Sequence, residues 1–337
     1  MEFRLHQDFS EIDAAQWNEL ASAGISDTPF ARHEYLSQWW RTLGGAEWSE
    51  ASLILISGWV SGRLVGLAPL FKARHDDRDA ILLVGSIEIS DYLDLIVRNS
   101  DVRAFASGML GFLGDSADWR SLPLDWYNIP ESSPTISVLK SEAATRGWDF
   151  RADVYLPAPY VSLNGDFETY LAGLDKKQRH EIRRKLRRAS EGSLPARMRL
   201  VESGADLETE IDAFLELMAH DPEKARFLKP EMREHMRAVI HLASENGYLR
   251  LAFLAVGETN AAASLEFDYR NKLWGYNSGV NSDFTELSPG WVLLAHQIQW
   301  ATENGRSEFD FMRGNEDYKY RFGGVDRHVL RLQVSPR

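Results

Sequence analysis

KLWGYNSGVNSDFTELSPGWVLLAHQIQWATENGRSEFDFMRG, residues 272–314, sets three elements in close succession. KLWGYNSGV (272–280) reads as a strand, and WVLLAHQIQWATEN (291–304) as an apolar helix stopped by Gly305. EFDFMR (308–313) is a second strand, and it leads into the polar run Gly314 to Gly323. A helix that starts directly behind a strand end presents unsatisfied N–H groups and the positive end of its dipole. Such a start holds a phosphate or pyrophosphate without a charged side chain. The loop Leu287-Ser288-Pro289-Gly290, running into Trp291, is therefore the candidate anion cradle; a Pro-Gly pair is equally a way to open a core helix.

Working outward, residues 248–256 and 261–269 alternate as strands, with Leu265, Phe267 and Tyr269 on one face and Ser264, Glu266 and Asp268 on the other. Helices are predicted at 206–219 and 230–245, and a longer one from about 166 through the basic run KKQRHEIRRKLRR (176–188). The first half shows helices at 11–21 and 30–43, then a hairpin of 52–60 and 63–71 about Ser61-Gly62. Strands at 80–84, 92–97 and 122–129, helices at 101–113 and 133–146, and an extended stretch at 148–163 complete it. Both halves run helices, hairpin-led sheet, then strand, helix, strand. This order predicts an α/β chain of two tandem modules, 1–165 and 166–337, each a mostly antiparallel mixed sheet flanked by helices. The last strand, 328–334, is free to return to the first module.

The chain has 337 residues, 44% of them hydrophobic, enough for packed cores. It has no cysteine, which excludes disulfides, thiolate nucleophiles and cysteine metal sites. Its start, MEFRLHQDFSEIDAAQW, lacks the pattern of a signal peptide, and no apolar run is long enough for a membrane span; a cytoplasmic protein is expected. The histidines show no metal-ligand spacing, and no phosphate loop, GxGxxG, HExxH or GxSxG motif is present. A net charge of −12 disfavours nucleic acid as a partner of the whole surface. The run 176–188 is the local exception: either a solvated helix face or a dock for an anionic partner such as an acidic glycan, a lipid head group or RNA.

The order strand, Ser-Pro-Gly loop, helix, Gly, Phe-Asp-Phe-Met-Arg-Gly, Tyr-Lys and Phe-Gly resembles the GNAT acyltransferase superfamily, in particular its CelD-like bacterial branch, which is related in fold to the Fem-type peptidyltransferases. The resemblance covers the second half of the chain, from FETYLAGLDKKQRHEIRRKLRRASE onward. It implies an acyl-CoA-dependent transferase, with acetyl-CoA or another acyl-CoA as co-substrate and no metal, acting on an amine or hydroxyl of a small molecule, glycan or peptide. Leu287, Ser288, Gly290 and Trp291 would cradle the pyrophosphate of coenzyme A, although the family's Gln/Arg-x-x-Gly-x-Gly/Ala fingerprint is absent. Tyr276, Asn277 and Ser278 would line the acyl site, where a splayed backbone N–H faces the thioester oxygen. Tyr318, with Tyr320 as its rival, would protonate the leaving thiolate, since a phenol stays neutral at pH 7. Glu266 is the candidate base, and Asp310, which clusters in sequence with Arg313, Tyr318 and Lys319, is a further catalytic candidate; Arg313 and Lys319, with Asp268, would bind substrate. The first module would wall the acceptor cleft. The alternatives are a Fem-like transferase fed by aminoacyl-tRNA, docked through Arg183, Arg184, Arg187 and Arg188, and a GNAT-fold binding protein without catalysis. A fully buried, mutually paired Asp310, Arg313 and Tyr318 would favour the last.

Overall fold

The computed structural model describes residues 1–75, 78–191, 195–202 and 204–337. The chain divides into two compact units, Met1–Pro157 with Arg327–Arg337, and Ala158–Asp326. The first contains β1 (Glu2–His6), α1 (Ala14–Ser22), α2 (His33–Leu43), β2 (Ser49–Val60), β3 (Arg63–His75), β4 (Arg78–Leu83), β5 (Ile96–Val97), α3 (Val102–Asp115), β6 (Leu124–Pro130), α4 (Pro134–Arg146) and β7 (Asp149–Pro157). The second contains β8 (Tyr160–Ser162), α5 (Phe167–Gly173), α6 (Lys176–Ser190), β9 (Ala196–Leu200), α7 (Leu207–Ala219), α8 (Pro222–Phe227), α9 (Pro230–Glu245), β10 (Leu249–Val256), β11 (Thr259–Tyr269), β12 (Lys272–Val280), α10 (Pro289–Glu303), β13 (Glu308–Asp310) and α11 (Asp317–Arg321). The last strand, β14 (His328–Ser335), goes back to the first unit.

In the first unit an eight-stranded sheet runs β1-β2-β3-β4-β6-β14-β7, with β5 beside β3. Strand β14 lies inside it, Leu332 facing Trp126 of β6 on one side and Ala152 of β7 on the other. Phe105 and Met109 of α3 and Leu139 of α4 pack on Ile54, Leu70, Ile81 and Trp126 to form the core. The division falls at Pro157, ahead of the boundary expected at residue 165, because Tyr160–Ser162 pairs with β13 of the second sheet, Val161 opposite Phe309.

The second sheet is six-stranded, β8-β13-β12-β11-β10-β9. Only the β12–β13 pair is parallel among strands joined in sequence by a helix, and α10 makes that crossover. Ser264 and Ser278 oppose each other across β11 and β12 on the face covered by α10, so Ala263 and Gly279, one residue along, face the other way. There α7 lies so close that a Cβ on Gly279 would collide with the backbone of Leu217 and Met218. Both faces are thus covered, and the face of Ser264 and Glu266 is buried rather than open to solvent.

The helix expected to run unbroken from residue 166 through the basic run is two helices. Leu174 and Asp175 are extended, and the Asp175 carboxylate caps α6 by accepting from Lys177 N at 2.7 Å and Gln178 N at 3.2 Å. Ile182 and Ala189 then pack inward, toward Phe311 and Ile298 and toward Val292 and Leu293 respectively. The two ends of the second unit meet, Tyr160 N donating to Val325 O at 3.1 Å and Val325 N to Tyr160 O at 2.8 Å.

Candidate functional site

The parallel ladder of β12 and β13 has three pairs and ends at Trp274 opposite Asp310. At the same level β12 carries a bulge against β11: Leu265 pairs with Asn277 and Glu266 with Gly275, so Tyr276 is the extra residue. A bulge bends its strand and re-aims its side chain and backbone groups. Here it coincides with the point where β12 loses its β13 neighbour. The Tyr276 ring packs on Phe267, centroids 4.7 Å apart.

Glu266 is 3% exposed and lies under α10. Gln297 of α10 donates through Nε2 to Glu266 Oε2 at 2.8 Å and to Ser264 Oγ at 2.9 Å, and accepts from Arg250 Nε at 2.6 Å. Arg250 is itself buried, its guanidinium 3.5 Å above the Trp300 ring. Burial pushes the Glu266 carboxyl up to about 8, against the opposing pull of Arg250 and a hydrogen bond from Ser264. A carboxyl buried beneath a helix, desolvated and held by Gln297, is not presented to an incoming substrate. Asp268 is likewise removed: Arg306 holds it through two hydrogen bonds, at 2.7 and 2.6 Å, at the opposite end of β12 beside Leu273.

The segment after β13 is pinned from within. Asp310 is fully buried and its Oδ1 accepts from Met312 N at 2.8 Å. Lys319, 2% exposed, points into the loop it follows, its Nζ donating to the carbonyls of Met312 at 2.9 Å, Arg313 at 2.8 Å and Gly314 at 3.3 Å and pairing with Glu316 at 2.9 Å. Both are therefore loop-holding groups rather than the catalytic and substrate-binding groups expected of them. Arg313 is half-buried. Tyr318 differs from its neighbours: it is 39% exposed, its ring meets Phe311 edge-on at 6.4 Å, and its hydroxyl has no hydrogen-bond partner among the described residues. Desolvation, then the nearby Glu316 carboxylate, hold its phenol above the usual tyrosine range, so it remains a proton donor. Tyr320 instead donates to Asp326 at 2.9 Å.

Across from this segment stands a residue the sequence reading does not single out. Lys224 of α8 donates to Asn277 Oδ1 at 3.1 Å and to Ser278 O at 2.5 Å, with Ser278 Oγ at 3.5 Å. Desolvation lowers its pKa, and the Asp221 and Glu316 carboxylates pull it back. Lys224 and Tyr318 both feel the Glu316 charge, and hydrogen bonds join Lys224 to Asn277 and Ser278 on β12. The α8 helix is too short for a periodic signal; Asp221-Pro222, a cap followed by proline at N1, is its one cue.

The start of α10 is more closed than expected. Trp291 N and Val292 N both bond to Ser288 O, Ser288 N bonds to Thr285 O, and Pro289 has no N–H. Among the amides of Ser288 to Trp291 only that of Gly290 lacks a backbone acceptor, and a side chain there would press on Val280 at 3.1 Å. Leu287 ends the 3-10 turn Ser282–Leu287 that precedes it. The Trp291 ring is held between Phe322, at 4.9 Å, and the Lys185 ammonium, at 4.0 Å.

On α6 the exposed basic side chains fall on one arc. Arg183 pairs with Glu168, Arg184 with Glu181 and Arg188 with Glu286. Lys176, Lys177, His180 and Arg187 are exposed with no carboxylate partner among the described residues. Among those residues no group of histidines and carboxylates is arranged to hold a metal, and no helix is long and apolar enough to cross a membrane.

Residues 176–320 match the family model described as an acetyltransferase (GNAT) domain. The crystal structure of FemX is similar at a TM-score of 0.68 and 11% identity, covering 98% of this chain and 97% of its own. L-PGS from Bacillus licheniformis is similar at 0.59 and 11% identity, over 96% of this chain and 92% of its own. A tandem GNAT protein from the clavulanic acid biosynthesis pathway is similar at 0.51 and 14% identity, over 98% of this chain and 97% of its own. These likenesses are of fold. No curated protein matches the sequence.

Proposed function

Taking the chain as a GNAT-fold protein related to the Fem-type transferases, we propose that it transfers an acyl group, acetyl first among candidates, from coenzyme A to an amine or hydroxyl by direct attack in a ternary complex. The observation that carries this reading is the coincidence of the Tyr276 bulge with the parting of β12 from β13, bounded by Tyr318 and Lys224. In this reading the donor carbonyl lies against the bulged backbone of β12, whose N–H groups stabilise the oxyanion. The acceptor nitrogen forms the new C–N bond as the C–S bond breaks. Tyr318 gives its proton to the leaving sulfur, and the phenolate recovers one through solvent from the acceptor nitrogen. Glu266 has no part in it. The Gly290 amide and the α10 dipole would meet the pyrophosphate. Tyr318, exposed and without a hydrogen-bond partner among the described residues, does not supply the buried, mutually paired cluster that would have favoured the binding-protein reading.

The test is calorimetric titration of acetyl-CoA, coenzyme A and a longer acyl-CoA, followed by thiol release with an amine panel. Saturable binding weakened by Gly290→Val supports the reading; no binding at millimolar ligand overturns it.

A second reading has its own observation. A single open amide at the start of α10, together with Lys176, Lys177, His180 and Arg187 on α6, which have no carboxylate partner among the described residues, favours an aminoacyl-tRNA donor over a nucleotide thioester. It calls for tRNA binding that weakens steeply with salt.

A further inference from the structure

We infer that Lys224 is the anchor for an anionic group, a carboxylate or phosphate on the second substrate, and so selects an acidic acceptor; the role in acceptor choice rests on the acyl-transfer reading above. The argument begins with donor accounting. An ammonium has three protons. Two go to uncharged oxygens, Asn277 Oδ1 at 3.1 Å and Ser278 O at 2.5 Å, and the third has only Ser278 Oγ at the 3.5 Å limit. No carboxylate lies within 4.0 Å of it among the described residues, although the side chain is half-buried and desolvation lowers its pKa. The two carboxylates nearest in influence are occupied elsewhere. Asp221 caps α8 by accepting from Glu223 N at 2.8 Å and Lys224 N at 3.2 Å, and Glu316 is taken by Lys319 at 2.9 Å. A half-buried ammonium without a counter-ion still carries part of its desolvation cost, and an oxyanion on the third proton would offset it.

Position adds the role. By holding Ser278 O, Lys224 occupies the edge of β12 two residues beyond the Tyr276 bulge, while Asn277 Oδ1 takes Ser278 N at 2.9 Å. The edge is therefore closed at Ser278 and open at the bulge. The ammonium of Lys224 is thus held about 6–7 Å along the strand from the bulge, at ~3.3 Å per residue, where an acidic substituent a few bonds from the reacting atom would sit.

The experiment is differential acylation of the native protein with a limiting succinimidyl ester, read by peptide mass spectrometry, with inorganic phosphate or acetate titrated to tens of millimolar. Lys224 should be labelled, and its labelling should fall saturably with at least one anion while the exposed Lys229 and Lys140 stay unchanged. A response to phosphate alone or to acetate alone tells which oxyanion is preferred. Lys224 that stays unlabelled, or that responds only as Lys229 and Lys140 do, overturns the inference. Given a working transfer assay, Lys224→Met should raise KM for a carboxylate-bearing acceptor about tenfold to a hundredfold, leave the donor KM unchanged, and be partly rescued by Lys224→Arg. Absence of transfer with every donor would fail the acyl-transfer reading while leaving the labelling result intact.

Discussion

Glu266→Gln separates a structural carboxyl from a catalytic one. Glutamine has the shape of a protonated glutamate, and Gln297 Nε2 still finds an acceptor at 2.8 Å. In the wild type, burial raises this carboxyl from 4.5 to about 8. Below pH 4.5 folded and unfolded chains both hold the proton. Between the two values the unfolded chain ionises and the folded one does not, so stability falls as pH rises; above about 8 the folded carboxyl ionises as well and the loss is complete. At about 1.36 kcal/mol per pH unit, the whole span is on the order of 5 kcal/mol and the part reached by pH 7 on the order of 3 kcal/mol. The glutamine variant carries none of this. Urea unfolding of both proteins at about pH 5 and about pH 8.5 should show the variant gaining on the wild type with pH by several kcal/mol. Parallel pH dependences would refute the reasoning, since they would mean the carboxyl is not desolvated when folded. Transfer activity should survive the change; its abolition would return Glu266 to the reaction.

Tyr318→Phe removes the proposed acid without touching a hydrogen bond and should lower kcat by about a hundredfold or more with KM unchanged, measured by thiol release. Lys319→Met leaves the carbonyls of Met312, Arg313 and Gly314 and the Glu316 carboxylate without their cation. It should cost about 3 kcal/mol or more in denaturant unfolding. Replacing Lys176, Lys177 and Arg187 together by glutamate should leave the fold intact by circular dichroism. If α6 docks RNA, the same change should cut the slope of log affinity against log salt by about 2 to 3 in a filter-binding assay.

The β12, α10 and β13 succession is legible in the sequence because a Pro-Gly start, an apolar run and Gly305 mark its limits locally. Tyr318 is legible by its place after that strand. The fate of Glu266 is not. Its burial depends on Gln297 and Arg250, partners far away in sequence that only the register of β10 against β11 and the crossing of α10 bring together. Lys319 misleads for a similar reason: a lysine among polar residues reads as exposed, and its three carbonyl partners are backbone atoms that no residue letter reveals. The break at Leu174 and Asp175 was marked by a capping aspartate, but the apolar stripe continues on either side of it. The opening strand β1 and the short α8 lack the length that periodicity needs.

The return of β14 to the inside of the first sheet has a consequence for synthesis. Translation delivers β1 to β7 first, yet the slot between β6 and β7 stays empty until β14, about 170 residues after β7, has left the ribosome. The Ala158–Asp326 unit, whose ends meet through Tyr160 and Val325, is finished earlier and is the part able to fold while the chain is still growing. The first unit waits for β14. Loss of the segment from His328 onward would therefore spare the later-encoded unit and ruin the one encoded first.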